Sequence, residues 1–137
     1  MDTNLISEKD LSLLKIKLGK SRRNQKDWDW ISELLVSHDV VVPQYVGEKS
    51  TAGNETAIII GEMLPVFTSA EECGRQMQMF AREIGKATEY RMTVRPYEEM
   101  AMTADAAGLT LCVDPKTDGK NCFLTYKMGR IEAALIY

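Results

Sequence analysis

The sequence predicts a single α+β domain over residues 1–137, a mixed β-sheet of about five to six strands with helices packed on it. Three observations carry this prediction. Short β-branched or apolar runs recur at residues 40–46, 57–60, 63–67, 90–94 and 109–113, each of strand length. Two segments with helical apolar spacing, residues 70–86 and 97–107, separate the last three of these runs. The resulting order of strand, helix, strand, helix, strand from Met63 to Val113 calls for crossovers and some parallel pairing, whereas the short turn before Met63 calls for an antiparallel hairpin.

The totals bound the class. A chain of 137 residues fits one domain with a core of its own. With 45% apolar and 27% charged residues it belongs with folded rather than disordered chains. The 17 basic and 20 acidic residues leave a net charge of −3, which draws the chain neither to nucleic acid nor to anionic membrane. No apolar run approaches the roughly 18 residues of a membrane span, and Met1 to Leu5 lacks the basic start of a signal peptide, so a cytoplasmic location is expected. Cys73, Cys112 and Cys122 are odd in number and form no Cys-x-x-Cys, which reads as reduced core thiols. Cys112 and Cys122 fall on strands that could be neighbours.

In chain order, Ser7 three residues before Asp10, then Leu11, Leu14 and Leu18 ahead of Gly19, reads as a capped amphipathic helix. Leu14, Ile16 and Leu18 also alternate with lysines in the manner of a strand. Lys15, Lys17, Lys20, Arg22, Arg23 and Lys26 place six of the 17 basic residues ahead of Trp28 and Trp30. Cations beside aromatic rings suit a nucleic-acid surface. However, Trp28, Ile31, Leu34 and Leu35 share one helical face over Asp27 to Ser37, so Trp28 reads as core and nucleic acid is not expected as a partner. His38 beside Asp39 sits at that helix end and reads as structural. Val40 to Val46 is a strand interrupted by Pro43, and Gly47 to Thr56 is a loop.

Ala57 to Ile60, Gly61 and Met63 to Phe67 read as a hairpin, with Pro65 forcing the return strand to an edge. Ser69 and Glu72 have the spacing of a capping box opening a helix from about Ala70 to Lys86, whose apolar stripe is Cys73, Met77, Phe80, Ala81 and Ile84. Pro96 precedes a second stripe of Tyr97, Met100, Ala101, Ala104 and Ala107, stopped by Gly108. Asn121 to Lys127 reads as a hairpin partner of Leu109 to Val113, and Ile131 to Tyr137 carries no clear signal beyond a sheet edge or a contact. Met79 and Met102 lie off the two stripes and are expected to face a partner.

Leu64-Pro65-Val66-Phe67-Thr68-Ser69 followed by Glu71 and Glu72 resembles the LPVFTS-x-E-E signature of the SseB protein N-terminal domain family, a bacterial domain without agreed catalytic residues. Val42-Pro43 upstream, and Gly108, a strand and Asp114-Pro115 downstream, follow that family's order, with Asp114 where the family usually carries Asn. The resemblance spans roughly Trp28 to Lys116 and implies the fold rather than a chemistry.

No nucleophile elbow, phosphate loop, dinucleotide fingerprint or metal-spaced cluster occurs, and there is a single histidine. The pairs Glu71-Glu72 and Glu98-Glu99 stand in first helical turns, where the helix dipole accounts for them. No catalytic residue, metal or cofactor is therefore expected. The expected function is a non-enzymatic protein-interaction or regulatory module that binds a protein partner or itself, at a rim formed by Pro65, Phe67, Thr68, Arg95, Asp114 and Pro115 together with Met79 and Met102. The alternative is a small-molecule or enzymatic site at the same strand ends, near Phe67 and Asp114, where open α/β sheets place ligands. A crevice among Thr68, Arg95 and Asp114 would favour that alternative, and a filled rim would count against it.

Overall fold

The computed structural model describes residues 4–20, 22–45, 58–59, 62–84, 90–115 and 124–133. They form α1 (Glu8–Leu18), α2 (Gln25–Val36), β1 (Asp39–Tyr45), β2 (Met63–Val66), α3 (Ala70–Ile84), β3 (Tyr90–Pro96), α4 (Tyr97–Ala107), β4 (Thr110–Val113), β5 (Leu124–Lys127) and β6 (Arg130–Ala133). The α+β class holds. Strands β2-β4-β5-β6 make a four-stranded sheet and β1-β3 a two-stranded one. Among the described strands only β2 and β4 pair in parallel, so the sheet is mixed as expected, but β3, between them in sequence, crosses to pair antiparallel with β1.

The two sheets meet at one rung. Val41 and Phe67 exchange both backbone bonds, at 2.7 and 2.8 Å. Carrying that antiparallel register two residues further sets Pro43 opposite Pro65. Neither proline has an N–H to give, so the ladder stops there. The Pro43 carbonyl instead accepts from the Ile58 N–H at 3.2 Å. Pro65 thus lies on the side of β2 that faces away from β4, where its missing donor breaks nothing.

Among the described residues, the hairpin predicted for residues 57–67 has no first strand. Ile58 and Ile59 belong to no strand, and β2 takes β4 rather than an upstream partner. Ile58 is spent on β1 and on the core around Phe67, while Ile59 is exposed. Ala57, Ile60 and Gly61, like the loop to Thr56, lie outside the described residues.

Apolar side chains divide between the two faces of the joined sheet. Val40, Val42, Leu64, Val66, Leu111, Val113 and Leu124 meet α1, α2 and α4 on one face. Val41, Phe67, Cys73 and Met77 meet on the other, under α3. The alternation follows from the strand period of two residues.

The helix ends read as the sequence implies. The Ser7 and Ser69 hydroxyls accept the Asp10 and Glu72 N–H groups at 3.2 and 3.1 Å, and Gly108 ends α4 in the left-handed region with φ 68°. β5 pairs with β4 from Leu124 onward, setting Thr125 opposite Cys112. The rung opposite Cys112 is therefore not Cys122, which lies outside the described residues. The unassigned C-terminal stretch yields β6, paired with β5 across a two-residue turn at Met128 and Gly129.

Candidate functional site

The strand ends singled out by sequence do converge, but as a lock. β2 and β4 run side by side to Val66 and Val113, and the next residues bond across. The Asp114 carboxylate accepts the Thr68 N–H and the Thr68 hydroxyl, both at 2.8 Å, while its own N–H donates to the Val66 carbonyl at 2.9 Å. Asp114 reaches back by adopting φ 52°, a left-handed conformation that Asp tolerates better than most residues. Pro65, Phe67, Thr68, Asp114 and Pro115 are all buried. The rim is filled.

Cys73 lies in the same packing, and burial together with the negative charge of Asp114 pushes its thiol up to about 12. Such a thiol stays protonated at neutral pH and is no nucleophile. Cys112, on β4, is buried as well.

The remaining predicted residues do not join this cluster. Arg95 stands on β3 opposite Val40, with its guanidinium 3.7 Å from Glu99. Met79 is exposed on α3 and Met102 on α4. Gln76, read as off the α3 stripe, is buried and donates to Glu72 at 3.1 Å.

Three cations of the basic segment before the tryptophans, Lys17, Lys20 and Arg23, are spent internally. Lys17 and Lys20 place their ammonium groups 3.3 and 3.0 Å from the buried Asp27 carboxylate. The Lys20 bond is the main cause holding the Asp27 carboxyl below its ordinary value, against the opposing effect of burial. Arg23 donates to the Leu18 and Lys20 carbonyls at 2.7 and 2.8 Å and covers the Trp28 ring at 5.2 Å, while Lys17 covers Trp30 at 5.1 Å. These groups clasp α1 to α2. Trp28, predicted as core, is half-buried as part of that clasp. His38 accounts for itself likewise, with Nδ1 2.6 Å from the Leu34 carbonyl at the end of α2.

An open cleft of about 340 Å³ lies elsewhere, between α2, α4 and the β5–β6 hairpin. Its lining includes Val36, Tyr97, Ala101, Met102, Tyr126 and Ile131, with Glu98 the one charged member among the described residues. The rim is apolar and open to solvent, Met102 being 67% and Val36 50% exposed. Ridge spacing explains the pair of α4 residues: Ala101 is buried and leaves room that the longer Met102 overhangs.

The inner wall is an aromatic pair. Tyr97 and Tyr126 meet edge to face with ring centres 6.4 Å apart. The Tyr126 hydroxyl donates to Asp105 at 2.7 Å, a bond that keeps its proton on and raises its pKa. The Tyr97 hydroxyl is buried, raised by burial, and has no hydrogen-bond partner among the described residues. An unpaired buried hydroxyl costs stability unless something supplies a bond.

Beside the cleft, the β5–β6 turn holds Met128 at φ 49° and Gly129 at φ 83°. Positive φ at both central positions is what a type I′ hairpin turn requires, and Asn or Gly usually meets it at the first. Here a methionine does so while 81% exposed. Sequence reasoning missed this site. Its signal was the X-Gly pair between Leu124-Thr125-Tyr126-Lys127 and Arg130-Ile131-Glu132-Ala133, a hairpin of minimal length.

Among the described residues, no group of three or more His, Cys, Asp or Glu side chains is arranged to hold a metal ion, and no helix is long and apolar enough to cross a membrane. No family model matches the chain, and neither a curated protein nor a solved structure does.

Proposed function

We propose that the protein is a non-enzymatic protein-interaction module, and that its docking surface is the cleft between α2, α4 and the β5–β6 hairpin. The observation that carries the reading is the apolar rim of exposed Val36 and Met102 around the cleft. Unbranched methionine side chains adapt to varied apolar partners. The matching partner is a segment that inserts one apolar side chain between Val36 and Met102. Met128 in the adjoining turn extends the same surface.

The alternative, a small-molecule site at the ends of β2 and β4, gains no support from a rim in which Phe67, Thr68, Asp114 and Pro115 are buried together. The resemblance to the SseB N-terminal domain family adds a proposed fold kinship and bears on neither site.

The test is selection from a displayed random-peptide library on the purified protein, followed by titration of the selected peptides. Met102→Asp is expected to weaken binding at least tenfold, and Met79→Asp, exposed on α3, to leave it unchanged. Peptides that ignore Met102→Asp, or that require Met79, would remove the cleft from the proposal.

A further inference from the structure

We infer that β3 is the seam of a homodimer, its outer edge pairing antiparallel with the same strand of a second copy in the register that sets Met92 opposite Met92. The inference is independent of the cleft.

Backbone direction at this edge follows from bonds already described. Val41 gives both of its groups to Phe67, so Val40, Val42 and Gln44 turn theirs to β3, where they face Arg95, Thr93 and Arg91. The Tyr97 N–H donating to the His38 carbonyl at 3.1 Å continues the same alternation. Tyr90, Met92 and Val94 therefore aim their N–H and C=O groups away from β1. No described strand pairs with that edge, and Met92 and Val94 are exposed on the α3 side of the sheet.

An open edge of this kind accepts another strand. The strand's own sequence selects a second copy and its register. With Met92 on the two-fold axis, Met92 meets Met92 and Tyr90 meets Val94 on either side, so every outward N–H finds a carbonyl. Arg91 then faces Thr93 of the other copy, and Tyr90, Met92 and Val94 continue as one apolar row. A two-fold axis at Thr93 would instead set Arg91 against Arg95 twice and bring Pro96, with no N–H, opposite Tyr90. An axis at Val94 would bring Pro96 opposite Met92. Of these three registers, the one at Met92 alone leaves neither like charges opposed nor a donor missing.

The seam also leaves the cleft free. Once the Val41–Phe67 rung joins the sheets, β3 lies at one end of the strand order and β6 at the other.

Cysteine substitution reads the register directly. Opposed residues of a hydrogen-bonded pair have Cα atoms about 5.5 Å apart, within disulfide range. Met92→Cys is expected to give a covalent dimer under mild oxidation, beyond any band from the native cysteines of the wild type. Val94→Cys is expected to give none, since the two copies of residue 94 would be offset by four residues, roughly 13 Å. Light scattering after sizing is expected to show the wild-type mass rising toward twice that of the chain with concentration. Met92→Pro, which removes an outward N–H and spares the bonds to β1, is expected to stay monomeric with an unchanged circular dichroism spectrum. A wild-type monomer at all concentrations, a dimer indifferent to Met92→Pro, or equal crosslinking through residues 92 and 94 would overturn the proposal.

Discussion

Met128→Asn is expected to stabilise the protein while weakening its binding. Met128 sits at φ 49°, where the Cβ of an L-residue crowds the backbone at a cost of roughly 1–2 kcal/mol. Asn bears less of that cost because its short polar side chain hydrogen-bonds locally in the same conformation. The methionine side chain is 81% exposed, so its removal forfeits little packing. The net gain is about 1 kcal/mol. With a urea m-value of about 2 kcal/mol/M, the unfolding midpoint should rise by roughly 0.5 M. The melting temperature should rise by about 3–5 °C. Met128→Gly relieves the same strain but frees the unfolded chain, and should gain less. Equilibrium urea unfolding followed by circular dichroism decides the matter. An unchanged or lowered midpoint for Met128→Asn would refute the claim that the turn holds strain at Met128. A raised midpoint with full affinity for cleft-selected peptides would remove Met128 from the docking surface while leaving the strain argument standing.

Three further outcomes follow from the buried polar groups. Asp114→Ala leaves the Thr68 N–H and hydroxyl without their acceptor and puts Ala at φ 52°, so it should cost about 2–4 kcal/mol in urea unfolding, with Asp114→Asn costing less than half as much. Asp27 is held below its unfolded value, so its contribution is present at neutral pH and is lost as pH falls below about 4 toward the folded value. Asp27→Asn should therefore flatten the acid limb of a stability-against-pH profile, and an unchanged limb would contradict the clasp. Cys73, its thiol raised to about 12 by burial, should resist a disulfide reagent at pH 8 in the folded protein and react once urea unfolds it.

Local signals in the sequence translated well and long-range ones did not. Ser69 with Glu72 and the stop at Gly108 are decided within four residues, and they stand where the spacing put them. The run at residues 57–60 looked like a strand because apolar, β-branched residues are buried in strands and in irregular segments alike. Ile58 is buried by reaching β1 and the Phe67 cluster, a destination that no local pattern encodes. Asp27 shows the same limit. A carboxylate in a first helical turn reads as solvated, and it is buried here beside Lys17 of α1 and Lys20 just beyond that helix. The cleft was illegible for a related reason, since its walls come from α2, α4 and a hairpin that sequence left unassigned.

The LPVFTS stretch shows how a run of residues can be spent wholly on packing and backbone contacts within the chain. Leu64 and Val66 enter the core on the α1, α2 and α4 side, and Phe67 enters the core under α3. Pro65, set opposite Pro43, ends the join between the sheets after one rung, Thr68 fastens the end of β4 through Asp114, and Ser69 opens α3. Each of the six residues is thus committed to a contact within the chain. A side chain already saturated by such contacts has little left to offer a ligand. Among the described residues, surfaces with unspent capacity include the apolar rim of the cleft at Val36 and Met102 and the outer edge of β3. Substitutions within the motif should therefore act through stability, and substitutions at the other two places through association.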